Sequence, residues 1–171
     1  MTERQYALSS ADETREYGAR LGRALFNMPV SQPIVIFLSG ELGAGKTTLV
    51  AGLLRAVGVL GPIRSPTYTL IEPYELATLD VYHLDLYRLG DARELEMLAL
   101  RDLLQPGAVL LVEWAERAEG ALPAPDLVLS LCYPDADDSG LAAVEERRIV
   151  HATARTPIGE SLVDKLLGHI C

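Results

Sequence analysis

Cysteine and long apolar runs are both scarce in this chain. The two cysteines among 171 residues, Cys132 and Cys171, lie far apart and form no C-x-x-C pair, which argues against a disulfide framework or a cysteine-based zinc site. No uninterrupted apolar stretch approaches the roughly 20 residues that span a membrane, and the first residues lack the apolar core of a signal peptide. We therefore expect a soluble, cytoplasmic protein with no membrane association, folded as one domain over residues 1–171.

Basic charge is also in deficit, with a formal net charge of −9. Proteins that bind nucleic acid unaided normally present a basic face, because phosphate contacts supply most of the affinity. Here the basic residues are scattered, and Asp135, Asp137 and Asp138 form an acidic loop. We therefore expect any RNA to be held through a partner protein. The chain also lacks the N-K-x-D and T-K-x-D motifs of signalling GTPases, which favours adenine over guanine.

The most specific signal that is present lies between Gly40 and Thr48, where the sequence reads GELGAGKTT. It fits the phosphate-loop (P-loop) pattern G-x-x-x-x-G-K-[ST]. The β-branched, apolar residues 34–38 before it predict a buried strand, and the residues from Thr48 onwards predict a helix. A strand, a glycine-rich turn and a helix are the context that this motif requires.

The residue types in this loop are suited to binding a nucleoside triphosphate. Orphan N–H groups and the helix dipole both favour an anion at the start of a helix. Lys46 is expected to neutralise the β- and γ-phosphates, and the Thr47 hydroxyl to ligate Mg²⁺. The residues predicted to contact the nucleotide in this loop are Glu41, Leu42, Gly43, Ala44, Gly45, Lys46, Thr47 and Thr48.

The order of predicted elements indicates a three-layer α/β domain with a mixed, partly parallel central sheet flanked by helices. The N-terminus is expected to lead into a helix that a capping box opens at Ser10–Glu13. The remaining predictions are a strand hairpin over 69–76 and 79–86, a helix over 91–104, strands over 108–112, 126–133 and 144–153, and a helix from Pro157.

Two acidic residues follow apolar strands and compete as magnesium ligands. Asp85 ends the predicted strand 79–86, where a carboxylate could complete a metal shell begun by Thr47. Glu113 ends the run 109–112 and resembles the acid on the second strand of P-loop nucleotidases, which meets magnesium or polarises water. Spacing does not decide between them.

The segment from Arg64 to Thr69 lies where nucleotide-dependent proteins place a switch. A hydroxyl there could reach the γ-phosphate or the metal and order the loop. The alternative interpretation is a proline turn followed by the entry to a strand.

Together, Gly40–Thr48, Ser65–Thr69, the H-x-D-x-Y-R stretch from His83 and the pair Glu113-Trp114 resemble the bacterial TsaE (YjeE) family. The resemblance implies a small ATPase of tRNA threonylcarbamoyladenosine biosynthesis, which acts with TsaB and TsaD while TsaD transfers the threonylcarbamoyl group. It also implies roles for individual residues: Thr47 and Asp85 on Mg²⁺, Lys46 as phosphate clamp, Glu113 as catalytic acid, Trp114 beside the nucleotide and Thr67 in the switch-like segment.

One further expectation concerns the rate of turnover, and the sequence leaves two alternative functions open. Turnover is expected to be slow, because no obvious arginine finger is present; Arg64 and Arg88 are the candidates. The first alternative is a small-molecule P-loop kinase, although no acceptor pocket or basic lid is recognisable after Leu89. The second is a nucleotide-gated binding protein in which hydrolysis has no role.

Overall fold

The computed structural model describes residues 2–29, 31–91, 94–97, 100–134 and 147–167. A 3₁₀ turn spans Ala115–Ala118. The helices and strands, in chain order, are β1 (Glu3–Leu8), α1 (Ala11–Phe26), β2 (Ile34–Ser39), α2 (Lys46–Ala56), β3 (Ile71–Glu75), β4 (Asp80–Asp85), α3 (Glu94–Met97), α4 (Leu100–Leu103), β5 (Ala108–Glu113), β6 (Leu127–Cys132), β7 (Arg148–Ala154) and α5 (Pro157–Leu167).

The strands form a seven-stranded mixed sheet in the order β1-β7-β6-β2-β5-β4-β3. Strand β2 lies at its centre and runs parallel to both β5 and β6, and β4 runs parallel to β5. The pairs β3–β4, β6–β7 and β1–β7 are antiparallel. The predicted mixed sheet and the predicted hairpin are both confirmed. Because β2, β4 and β5 are parallel, their carboxyl ends meet at one edge of the sheet.

Both faces of the sheet are covered, which makes the domain three-layered. On β2, Ile34, Ile36 and Leu38 face an apolar cluster shared with α1, α2 and α5, whereas Val35 faces a second cluster on the opposite side. All six residues of β5 are buried. Burial on both faces explains why β2 and β5 are continuous apolar runs without alternation.

Helices α1 and α2 approach each other closely through glycines. A Cβ atom at Gly18 would lie 1.9 Å from the Leu49 carbonyl oxygen, and one at Gly52 would lie 1.9 Å from the Arg15 carbonyl oxygen. Side chains at these two positions would push the helices apart, so glycine is required for this packing. Helix α1 therefore fixes the position of α2, the helix that begins at the P-loop.

Three parts of the structure differ from the sequence predictions or lie partly outside the described residues. The strand β1 was not predicted, because its residues are mostly exposed and polar and its order comes from backbone pairing with β7. The predicted helix 91–104 is described as the two short helices α3 and α4, with residues 98 and 99 outside the described part. The last strand is described from Arg148; residues 135–146, including the acidic loop, and Cys171 lie outside the described residues.

The Ser10 hydroxyl caps α1 by accepting a hydrogen bond from the Glu13 amide at 3.2 Å. The Glu13 carboxylate accepts in turn from the Ser9 amide at 2.6 Å, one residue before the position that a capping box uses. In the part of the chain that is described, no helix has the length and apolar character needed to cross a bilayer.

Candidate functional site

The P-loop connects the centre of the sheet to α2. Gly40, Gly43 and Gly45 have φ angles of 136°, 82° and 102°, in the left-handed half of backbone space that favours glycine. A Cβ atom at Gly40 would also lie 2.2 Å from the Leu131 carbonyl oxygen. Gly45 directly precedes α2, so the first amides of the helix point toward the loop. The predicted strand, turn and helix are therefore confirmed around the motif.

Lys46 extends over this loop and is almost fully buried, at 4% exposure. Its Nζ atom donates hydrogen bonds to the carbonyl oxygens of Gly40 at 2.6 Å and Glu41 at 2.9 Å. The same atom lies 4.3 Å from the centroid of the Trp114 ring, a distance at which a cation and an aromatic face attract. The ammonium group is thus fixed inside the loop by two carbonyls and one ring.

Two opposing effects act on the charge of Lys46. Burial lowers the pKa of its side chain from the ordinary value of 10.5, because desolvation disfavours the charged form. The carboxylates of Glu113, Asp85 and Glu116 act in the other direction and raise that pKa. Burial is the larger of the two effects, so the pKa of Lys46 is lowered on balance.

Glu113 lies at the end of β5, beside Leu38 of β2 and Asp85, the last residue of β4. Its Oε1 atom accepts a hydrogen bond from the Thr47 hydroxyl at 3.1 Å and lies 2.9 Å from Nε2 of His83. Because an ionised carboxylate only accepts hydrogen bonds, the Nε2–H group of His83 is the donor in this contact, and the other ring nitrogen is Nδ1. Among the described residues, that buried Nδ1 has no partner. Glu113 is therefore held from two sides through one oxygen.

Asp85 is paired with Glu113 in the sheet register but contacts a different part of the chain. Its Oδ2 atom accepts hydrogen bonds from the hydroxyls of Ser65 and of Thr67, the latter at 3.0 Å. Its Oδ1 atom accepts from the Tyr87 amide at 3.0 Å. The predicted switch segment thus reaches the site through Asp85.

The proline-turn interpretation of this segment also describes a real feature. The Leu70 amide donates to the Pro66 carbonyl oxygen at 2.7 Å, which closes a turn. Leu70 has a φ of 64°, an uncommon value for a residue other than glycine. The turn and the hydroxyl contacts coexist, because Thr67 lies within the turn and Ser65 directly precedes it.

A cavity of about 300 Å³ lies between the loop, the two carboxylates and the switch segment. A larger cavity, of about 740 Å³, contains none of the predicted site residues and is lined by Leu95, Leu100, Arg101, Asp102, Leu104 and residues 120–123. The residues that line the smaller cavity are Leu42, Gly43, Gly45, Lys46, Thr47, Thr48, Ser65, Thr67, Asp85, Tyr87, Arg88, Glu113 and Trp114.

Two of the predicted contact residues do not line this cavity. Ala44 is fully buried in the core beneath the loop, and Glu41 takes part through its carbonyl oxygen. Trp114 has a φ of 59° and packs 5.1 Å from the Tyr87 ring, so the two aromatics form one wall. Sequence reasoning did not identify Tyr133 and Arg148, which contact the outer side of the loop. Their sequence neighbourhood carries no motif that would have indicated them.

The oxygen atoms in the cavity fit a magnesium ion. Thr47 offers a hydroxyl, and Asp85 and Glu113 offer carboxylates. Mg²⁺ prefers oxygen ligands and usually takes only one or two carboxylates, completing its shell with phosphates and water. Within the described ranges, no cluster of three histidine, cysteine, aspartate or glutamate residues forms a metal centre by itself. The donor set suits a metal that enters together with a nucleotide.

The central parallel strand, the glycine loop, the buried lysine and the helix that follows define a P-loop α/β domain. Comparison with known proteins narrows this class. A sequence model of the family described as threonylcarbamoyl adenosine biosynthesis protein TsaE matches residues 8–141. The chain belongs to the TsaE family.

Individual relatives agree with this assignment. The tRNA threonylcarbamoyladenosine biosynthesis protein TsaE of Haemophilus influenzae is 36% identical over 86% of this chain and 87% of its own length. The protein of the same name from Synechocystis is 39% identical over 66% of this chain and 71% of its own length. The crystal structure of Bacillus subtilis YdiB superposes with a TM-score of 0.68 at 30% identity, covering 96% of this chain and 94% of that one.

Proposed function

We propose that this chain is a magnesium-dependent ATPase that supports formation of threonylcarbamoyladenosine in tRNA by binding and cycling the TsaB–TsaD complex. Its family membership supplies the process. One observation carries the chemistry: the Thr47 hydroxyl contacts the Glu113 carboxylate in the cavity that also holds Lys46. The residues that we propose as phosphate clamp, metal ligand and catalytic acid therefore lie around one small cavity.

The polyphosphate of ATP is proposed to bind along the P-loop. Lys46 would exchange its two carbonyl partners in the loop for phosphate oxygens, which are better acceptors because they are charged. The amides at the start of α2 would donate to the same phosphates. Because the cavity walls are already folded, these charges would need little rearrangement as the phosphoryl group is transferred.

Magnesium is proposed to be held by Thr47 and Asp85, with Glu113 as the competing carboxylate. When bound, the ion would neutralise charge on the transferring phosphoryl group. Glu113 is proposed to orient or deprotonate the attacking water. Thr47 and His83 both contact its Oε1 atom, so Oε2 is the oxygen that we expect to face the water.

The nucleotide state is proposed to control partner binding through the Ser65–Thr69 segment. Ser65 and Thr67 are tied to Asp85, so a metal drawn to that carboxylate would compete with both hydroxyls. The neighbouring Tyr68 is 83% exposed and stacks against Arg88, which makes this segment available to a partner. Because the chain carries a net charge of −9, we propose that it contacts tRNA only through the TsaB–TsaD complex. We propose that this takes place in the cytoplasm.

A nucleotide-gated binding role without hydrolysis is the second candidate. The contacts between Asp85 and the segment favour it, since they connect nucleotide state to a surface without involving Glu113. Both candidates predict ATP binding, so only the chemical step separates them.

Reconstitution with TsaB, TsaD and tRNA tests the proposal. Modified tRNA is counted over several turnovers with the wild-type chain, with Glu113→Gln and with no added chain. We expect repeated turnovers only with the wild-type chain and ATP. A Glu113→Gln protein that binds ATP, does not hydrolyse it and still sustains several rounds would favour the gated binding role. Equal yields with and without the chain would contradict both.

A further inference from the structure

Two side chains beside the β6–β7 pair, Tyr133 and Arg148, contact the P-loop without lining the cavity. Arg148, the first residue of β7, donates from Nε to the Ala44 carbonyl oxygen at 3.0 Å and from Nη2 to the Gly43 carbonyl oxygen at 3.4 Å. The Tyr133 hydroxyl donates to the same Gly43 oxygen at 3.2 Å. The guanidinium group of Arg148 also stacks 4.1 Å from the centroid of the Tyr133 ring. The family match ends at residue 141, before Arg148.

The backbone that carries these side chains is well fixed. Arg148 pairs with Leu8 of β1, and the next residue, Ile149, pairs with Cys132 of β6. Tyr133 directly follows Cys132. The backbone at both residues is therefore ordered by strand pairing and not by the P-loop that their side chains contact.

Peptide geometry gives these contacts a consequence inside the cavity. The C=O and N–H groups of a trans peptide point in opposite directions. A bond from Arg148 to the Ala44 carbonyl therefore turns the Gly45 N–H away from Arg148, toward the side on which Gly45 lines the cavity. A reversed peptide would instead present the Ala44 carbonyl oxygen to the phosphates and repel them.

The glycines of the P-loop do not fix its conformation by themselves. Gly43 and Gly45 adopt positive φ angles of 82° and 102°, and glycine reaches these conformations and several others at similar cost. The residues that permit the binding conformation thus do little to enforce it. We propose that Arg148 is a positioning residue that holds the Ala44–Gly45 peptide in the orientation that binds phosphate. Tyr133 assists by holding the preceding Gly43–Ala44 peptide through its carbonyl oxygen. This inference rests on the proposed nucleotide-binding function.

Binding of inorganic tripolyphosphate and of MgATP tests the inference, with dissociation constants measured by calorimetry. For Arg148→Ala we expect both ligands to bind more weakly by the same factor, on the order of tenfold for a lost charge-assisted hydrogen bond. Arg147→Ala is the matched control, because Arg147 is exposed and adjacent and its loss changes the net charge equally. It should change either affinity by less than about twofold.

Two further variants keep the test valid if Arg148→Ala does not fold. Arg148→Lys keeps the charge but not the two-pronged geometry, and should recover only part of the affinity. Tyr133→Phe keeps the stacked ring and removes only the hydroxyl, and should weaken both ligands about threefold. In steady-state hydrolysis, a positioning role raises KM at nearly constant kcat, since the amide binds ground state and transition state alike. A merely structural defect would lower the active fraction and leave both dissociation constants unchanged.

Two results would overturn the inference alone: equal affinities for Arg148→Ala and Arg147→Ala, or weakened ATP binding with unchanged tripolyphosphate binding. The second result would place Arg148 on the base or the ribose. If the wild-type chain bound neither ligand, the proposed function would fail and this inference with it.

Discussion

Asp85 and Glu113 occupy equivalent places at the ends of neighbouring parallel strands, yet their surroundings differ. Glu113 contacts Thr47 on α2 and His83 on β4, both in regular, buried elements. Asp85 contacts Ser65 and Thr67 in an irregular segment. One carboxylate is thus attached to regular elements, and the other to an irregular segment that we propose reorganises with the nucleotide state. Because of this difference, we propose that Glu113 serves ATP hydrolysis, whereas Asp85 connects the nucleotide state to the Ser65–Thr69 segment.

The largest effect is expected for Glu113→Gln, which removes the carboxylate that contacts Thr47 and His83 and keeps the shape of the side chain. We expect ATP hydrolysis to fall by roughly 10²- to 10⁴-fold, the usual contribution of a general base, with ATP affinity changed only a few-fold. Single-turnover hydrolysis and calorimetry measure the two quantities. Glu116→Gln, an exposed neighbour that also contributes to the charge around Lys46, is the control. Hydrolysis at the wild-type rate would remove Glu113 from the mechanism.

Asp85→Asn should produce a smaller and different effect. We expect the Mg²⁺ concentration for half-maximal activity to rise about tenfold, because a neutral amide is a weaker ligand for a divalent ion. The substitution also removes the charged acceptor of Ser65 and Thr67, so limited proteolysis within residues 65–69 should become faster. Asp80→Asn, at the opposite end of β4, provides the control. Unchanged magnesium dependence would assign the metal to Glu113.

Thr67→Val should have the smallest effect of the three substitutions, and that effect should be limited to the Ser65–Thr69 segment. Valine keeps the volume and loses one hydrogen bond to Asp85. We expect amide hydrogen exchange in residues 65–70 to accelerate up to about tenfold, the value of one hydrogen bond, and hydrolysis to fall only a few-fold. Thr69→Val, at an exposed position in the same segment, is the comparison. If both variants exchanged alike, the contact with Asp85 would not order the segment.

The sequence predicted most of the features that depend on local pattern. The run 34–38, the P-loop and the acids that end two apolar strands follow from residue types and spacing alone. The partners of those acids do not, because Asp85 and Glu113 become neighbours only through the parallel pairing of β4 with β5. Strand β1 was missed because its polar, exposed residues are ordered by β7. Arg148 was missed because its contact with Ala44 spans 104 residues.

The most direct test of the account is calorimetric titration of MgATP into the purified wild-type chain and into Lys46→Ala. Lys46 is the buried cation that we expect to leave its two loop carbonyls for phosphate oxygens. We predict one binding site per wild-type chain and an affinity for MgATP that is reduced at least a hundredfold in the variant, roughly the loss of a buried charge pair. Absence of binding to the wild-type chain, or equal affinity in the two proteins, would contradict it.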